Sequence, residues 1–166
     1  MRTLKKTLSL VLVVAMVLGL CVVGASAYNK VEDFTDDVAK IGDAYYEAVG
    51  VLTGIQVIDG MTETTFEPTG TLTGFQWAKM LLCAVGFGVK GEFTGSSWSL
   101  NTSKYAHNVD LFAGDLAGAD HTAITREQAA LYAFNVLTAV DLVVYSESLG
   151  DYIKGYNSWF VDRYTP

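Results

Sequence analysis

Cysteine, histidine and basic residues are all scarce in this chain of 166 residues. Its two cysteines are Cys21 and Cys83, and Cys21 falls in a segment that reads as a removable leader. Cys83 is then left without a partner, which excludes an internal disulfide. It stands between Leu82 and Ala84 in an apolar helical stretch and reads as a small buried hydrophobe. A reactive thiol needs a cationic, exposed setting, and the neighbouring sequence offers none. His107 and His121 are the only histidines. With Asp110, Asp115 and Asp120 they could be drawn as a metal site, but neither histidine pairs with another ligand at a zinc spacing. Asp115 and Asp120 fit turn formation instead. No metal and no cofactor is expected. Against 11 lysines and arginines stand 18 acidic residues, a net charge of −7. That balance argues against nucleic acid as a partner, because phosphate binding needs a basic stripe.

What the chain does have begins with its leader. Arg2, Lys5 and Lys6 form a short basic head, residues 8–23 an apolar run, and Gly24, Ala25, Ser26 and Ala27 a small-residue ending. These are the parts of a secretory signal, with cleavage expected after Ala27. The rival is an uncleaved anchor, since the uncharged run nearly reaches the roughly 20 apolar residues that span a bilayer. Ala25 and Ala27 fill both positions that a signal peptidase needs, which favours cleavage and no membrane span afterwards. A lipid-modified Cys21 fits less well, because bulky Leu20 precedes it. The leader holds three of the 11 basic residues and none of the 18 acidic ones, so the rest carries −10. Any anionic partner must then be held by a local cluster of donors against a repulsive overall field.

The remainder is long enough for one domain with a single core, and it contains an internal echo. Residues 72–82 align with residues 124–134 at an offset of 52, Thr73 on Thr125. Thr73 with Gln76, and Thr125 with Gln128, each predict a capping box that opens a helix. Leu72 and Ile124 precede the caps, placed to staple onto Trp77 and Ala129. Past the first cap, Trp77, Met80, Leu81, Ala84 and Val85 define an apolar face; past the second, Ala130, Ala133, Phe134 and Leu137 do so. Trp77 is expected in the core rather than in a binding site.

Each capped helix has an upstream companion. Tyr45, Val49 and Leu52, joined by Ala48 and Val51, predict a helix that stops at Gly54. An ordered connector follows to Gly70, with room for a short strand, and Ile55 and Phe66 are expected to tuck between the helices. In the second copy a helix is expected over residues 102–112, followed by a shorter connector. Beyond Leu137, Leu142, Val143, Val144 and Tyr145 read as a short strand or linker, followed by Tyr152, Tyr156, Trp159, Phe160 and Tyr164. The fold class expected is all-α in the main, built from repeated helix–loop–helix units with irregular or β-like connectors.

Phe34-Thr35-Asp36, the run from Tyr45 to Val49, Gly54-Ile55 with Gly60, Phe66-x-Pro68, and Leu72-Thr73 opening a helix together resemble the S-layer homology module. Ile124-Thr125-Arg126 matches the start of that module's most recognisable signature, although Glu127-Gln128 stand where the family has alanine and glutamate. The resemblance covers most of residues 31–137. It implies a first module over 28–89, a second, degenerate one over 90–138, and a tail or linker over 139–166. It further implies non-covalent attachment to cell-wall polysaccharide, and it gives Arg126 the role of gripping an acidic glycan. A guanidinium fork can pair with a carboxylate through two hydrogen bonds, aided by free amides at the helix start. A solvated first-turn arginine, or one paired weakly with Glu127 or Asp120, is the alternative. The first copy departs from the pattern, with Gly74 in the arginine's place; Lys79 and Lys40 are the cations available to substitute. The family works in threes, and two units are visible here.

Aromatic faces stack on sugars, so Trp98 joins Arg126, Thr125, Glu127 and Lys79 as the candidate glycan-binding set. Asp36, Asp37 and Asp43 would serve a glycosidase only if two of them flanked a cleft. They sit instead in a polar approach to a helix, where acidic residues favour the positive end. With no nucleophile set or phosphate loop in the sequence, an enzyme is not expected. The expectation is a secreted cell-surface protein that binds an acidic wall glycan, with possible self-association. The alternative is a self-assembling surface scaffold without glycan affinity.

Overall fold

The computed structural model describes Phe34, residues 41–62 and residues 64–155. The expected leader, Thr35, Asp36, Asp37, Lys40 and the aromatics from Tyr156 to Tyr164 lie outside the described residues. The described chain forms four helices, α1 (Asp43–Gly54), α2 (Gly74–Ala84), α3 (Trp98–Asn108) and α4 (Arg126–Ala139). A hairpin of β1 (Val143–Ser146) and β2 (Asp151–Lys154) follows. Among the described residues no helix is long and apolar enough to cross a membrane.

The two capped helices form as their sequences dictate. The amide of Gln76 donates to Thr73 Oγ1 at 3.3 Å, and the amide of Thr73 donates to Gln76 Oε1 at 2.8 Å. Thr125 and Gln128 repeat both bonds at 3.1 and 3.2 Å. Each box satisfies amides that a helix start otherwise leaves open.

The segments leading into these caps lie against each other. Thr73 and Ala123 form an antiparallel bridge, and the Ile124 amide donates to the Leu72 carbonyl at 3.0 Å. The indole Nε1 of Trp77 donates to the Ala129 carbonyl at 3.1 Å. Leu72 with Ile124, and Trp77 with Ala129, are pairs that the 52-residue offset equates, so equivalent positions face each other. The amides of Gly74 and Phe75 reach the carbonyls of Thr122 and Asp120 at 3.3 and 3.2 Å. The first turn of α2 is therefore closed over by the connector that precedes α4.

Helix α2 packs between α3 and α4. The core comprises Ala78, Leu82 and Val85 from α2, Phe93 from the following loop, Ala106 from α3, Leu111 and Phe112 beyond it, and Tyr132, Val136 and Val140. Trp77 and Leu81 pack against this core partly buried, whereas Ala84 is exposed. A smaller cluster joins Ile41 and Val49 to Tyr46, Ile58 and Phe66.

Several expectations from periodicity are corrected. In α4 the buried stripe is Tyr132, Val136 and Val140, while Phe134 is 63% and Leu137 43% exposed. Tyr132 takes the core position because its hydroxyl donates to Asp115 Oδ2 at 2.5 Å, so no polar atom is left bare. In α1 the inward residues are Val49 and Thr53, and Tyr45 is 69% exposed. Thr53 is tolerated inside because its hydroxyl donates to the Val49 carbonyl at 2.6 Å. Ile55 is exposed rather than tucked away, although Phe66 does pack inward, its ring 5.2 Å from that of Phe34. The helix expected over 102–112 starts earlier, at Trp98, and ends at Asn108. Asp110 then takes a positive φ of 55°, which ends the helical path before Phe112. Among its described residues the first connector carries turns and bends but no strand.

The segment after α4 folds back onto the helices. Tyr145 pairs with Tyr152 and Val144 with Ile153 across the antiparallel hairpin. The Val143 amide donates to the Val85 carbonyl at 2.8 Å. Gly86 turns there with φ of 105°, and any β-carbon on it would lie 2.1 Å from the Val143 oxygen. The Tyr152 hydroxyl accepts from the amides of Gly88 and Val89 at 3.0 and 3.1 Å and donates to Glu92.

Two outcomes follow from this packing. A β-carbon on Gly74 would lie 3.0 Å from Ala119 Cβ and 3.1 Å from the Asp120 nitrogen. Gly74→Ala should therefore cost about 1–3 kcal/mol, read as a lowered Tm in thermal unfolding. Gly74→Arg should fail to fold rather than gain affinity. The Asp115 carboxyl is held below its ordinary 3.8, first by the Tyr132 hydroxyl and then by the Gln128 side-chain amide. Its contribution to stability is present above that value and lost as pH falls through the lowered folded value. Thermal unfolding from about pH 5 to about pH 2 should show this loss in the native chain and a flatter profile in Asp115→Asn.

Candidate binding groove

The connector between α1 and α2 does not lie flat on the helices. It leaves a groove of about 570 Å³ between itself and the near faces of α2 and α3. Lys79 and Met80 of α2, Trp98 at the start of α3, and Met61, Phe66 and Leu72 of the connector are among its walls. A second hollow of about 380 Å³ continues it toward the loop after α2. Ile58, Asp59, Lys79, Phe93 and Thr94 line both, so the two hollows meet at the Asp59–Lys79 pair. The size is that of a site for a small molecule or a short polymer segment.

Local rules place each of these side chains. Lys79 lies one turn beyond the capping box, on the face of α2 that looks toward the connector. Its Nζ is 3.9 Å from Asp59 Oδ2, with the lysine side chain 20% and the aspartate 50% exposed. Asp59 is oriented by its own turn, because its Oδ1 accepts from the Gly60 amide at 3.0 Å. Trp98 opens α3 and stands edge-on to His121, ring centroids 6.2 Å apart. Lys79 Nζ lies 6.0 Å from the Trp98 ring centroid, at the outer limit of a cation–π contact. Gln76, the capping-box residue, also reaches the groove, its Nε2 donating to Met61 Sδ at 3.2 Å. An aromatic face, thioethers, an amide and a loosely engaged ion pair can together hold a ligand with both apolar and polar faces.

Of the residues singled out from sequence, the fold brings Lys79 and Trp98 together. Arg126, Thr125 and Glu127 line neither hollow and are exposed at the start of α4. The Thr125 hydroxyl is engaged by Gln128 within the capping box. The Arg126 guanidinium has no ion pair among the described residues, with Glu127 and Asp120 included. The amides of Arg126 and Glu127 meet no acceptor among the described residues either, in contrast to the closed start of α2. Lys104 is exposed on α3, away from both hollows. Asp59 and Met61 were not distinguished by sequence, and Gln76 was distinguished only as a capping residue. The Asp59-Gly60 turn was the one signal that a carboxylate would be held in a fixed direction.

Asp115, Asp120 and His107 are engaged structurally. Asp115 accepts from Tyr132, from Gln128 Nε2 at 3.1 Å and from the Ala117 amide at 3.0 Å. Asp120 accepts from the hydroxyl and amide of Thr122 at 2.6 and 2.7 Å. His107 Nδ1 lies 2.7 Å from the Ser103 carbonyl oxygen.

Cys83 lines the smaller hollow, and burial pushes its thiol up to about 11 from the usual 9.0, against the pull of Lys79. It should therefore react slowly with a disulfide reagent. At pH 8, labelling followed by mass at the Cys83 peptide should run roughly a hundredfold below that of the urea-unfolded chain.

No family model matches the sequence, and no solved structure matches it. Over 125 residues the chain is 29% identical to an amylopullulanase of Thermoanaerobacterium thermosulfurigenes. The match takes in 69% of this chain and 6% of that enzyme, so the chain corresponds to a small part of the relative's length.

Proposed function

We propose that this protein is exported and binds cell-wall polysaccharide non-covalently at the bacterial surface, through mainly helical units of the S-layer homology type. The observation that carries this reading is the meeting of Trp98 and Lys79 in one groove. Carbohydrate has an apolar ring face and a polar rim. An indole can stack on the first while an ammonium and an amide engage the second. The groove runs along a connector rather than into a closed pocket, which suits a segment of polymer better than a free sugar. Arg126, at the open start of α4, supplies a second cationic contact for a chain that extends past the groove. The likeness to an amylopullulanase supports the reading in one respect. A stretch that makes up 6% of a long enzyme has the size of an accessory module, and binding is work such modules can do.

The second reading is a surface scaffold that assembles through its own helices and has no affinity for glycan. It is favoured by the outward apolar residues Phe134 and Leu137 of α4 and Tyr45 and Val51 of α1. Such side chains, when contiguous, mark interaction surfaces.

Co-sedimentation with purified cell-wall material at low ionic strength separates the two. The wall-binding reading expects pelleting that weakens with added salt. Trp98→Ala and Lys79→Gln should each lower affinity by about tenfold, and Arg126→Ala by about threefold. Oligomers that form with concentration in analytical ultracentrifugation, with no pelleting, would establish the scaffold instead.

A further inference from the structure

The groove holds its cation beside a carboxylate, and that arrangement bears on which glycans it can take. Among the described residues the charged side chains lining the larger hollow are Lys79, Asp59 and Glu67, and Glu67 is engaged in an interaction of its own. In the smaller hollow the added cation is Lys90, and its ammonium is already 3.3 Å from Glu147 Oε1 and 4.7 Å from the centre of the Tyr145 ring. The whole chain carries −7. Among the described residues a ligand anion in the larger hollow therefore meets Lys79 as the cation, with Asp59 oriented toward the same point.

Asp59 and Lys79 are poised rather than locked. At 3.9 Å their ionic atoms are too far apart for a good hydrogen bond, so the ammonium keeps donors free for a ligand oxygen. The aspartate cannot swing away without losing its bond from the Gly60 amide at 3.0 Å. One ligand carboxylate can reach Lys79 and still gain from it. A second acid group in the same segment meets the half-exposed carboxylate of Asp59 at short range, where like charges repel and added salt weakens the repulsion.

We propose that Asp59 is a specificity-determining residue, and that the groove selects glycans whose acid groups are sparse, one to a bound segment, over densely charged polyanions. This inference rests on the wall-glycan reading above and narrows its ligand class. The neutral sugars of the segment lie along Trp98 and the apolar connector wall, and the isolated carboxylate sits at Lys79. Asp59 sets the cost of every further charge.

The test is co-sedimentation at low ionic strength with purified wall polysaccharide whose carboxylates have been converted to amides in graded steps. The native chain should bind best at an intermediate stage, more weakly with unmodified wall and more weakly again once every acid is blocked. Asp59→Asn keeps the acceptor that holds the Gly60 amide, so the loop should stand and Tm should be unchanged. It should bind unmodified wall about fivefold more tightly than the native chain, moving the optimum toward higher charge. Asp151→Asn removes one charge outside the groove while keeping the acceptor for the Tyr152 amide at 2.7 Å, and reports the general field alone. Its curve should follow that of the native chain. Lys79→Gln leaves Asp59 unopposed, so its binding should improve at each step of amidation and show no intermediate optimum. The inference is overturned if native binding rises steadily with wall charge, or if Asp59→Asn and Asp151→Asn behave alike. In either case a loss in Trp98→Ala would leave the wall-glycan reading standing. Absence of pelleting with every preparation would remove both.

Discussion

The backbone joint between the two cap segments is the constraint from which the rest of the structure follows. Leu72 and Thr73 run antiparallel to Ala123 and Ile124, and the first amides of α2 end on carbonyls of the second connector. Once that joint is made, α2 and α4 must start side by side, and Trp77 falls opposite Ala129. The joint also explains Gly74. A β-carbon there would press on Ala119 and Asp120 at 3.0 and 3.1 Å, so the neighbouring backbone would have to give. A longer side chain would add to that crowding, so glycine at this position suits the close approach of the second connector.

The same joint makes the two helix starts unlike. Amides at the start of α2 are satisfied internally, while the corresponding amides of α4 face outward with Arg126. A helix start carries partial positive charge either way. At the start of α2 that charge faces carbonyls of the neighbouring connector, and Lys79 stands one turn along, beside Asp59. The groove and the start of α4 are thus different solutions, within one chain, to offering positive charge on a negative protein.

How much of this was legible in the sequence depends on the range over which each signal acts. The capping boxes at Thr73 and Thr125 were readable because both partners lie within one turn. The buried faces were less so. Tyr132 and Thr53 look too polar for the core, and Phe134 looks too apolar for the surface. The hydroxyl of Tyr132 is satisfied by Asp115, and that of Thr53 by the Val49 carbonyl, so both could go inside. The partner in the first case lies 17 residues away, where periodicity has no reach. Of the candidate site, Lys79 and Trp98 were named for separate reasons, a cation on a helix and an aromatic. Their meeting depends on how α3 packs on α2, and the role of Asp59 on the path of the connector; neither is encoded locally.

The C-terminal hairpin connects the last part of the described chain to this groove. The loop from Gly88 to Gly95 forms one rim of both hollows. That loop has few apolar anchors of its own beyond Phe93. It is held from one side by Asn101, whose side-chain amide donates to the Glu92 carbonyl at 2.8 Å. From the other side it is held by Tyr152, whose hydroxyl gathers Gly88, Val89 and Glu92 at one point. The Tyr152 ring packs 4.9 Å from that of Phe87, which in turn meets Tyr105 of α3 at 5.5 Å. A buried hydroxyl that both accepts and donates fixes direction as well as distance, and an aromatic cluster around it resists shear. The hairpin is therefore part of what gives the groove its shape: with its Tyr152 contacts removed, the rim would keep Asn101, Phe93 and the exposed contacts of Lys90 with Glu147 and Tyr145.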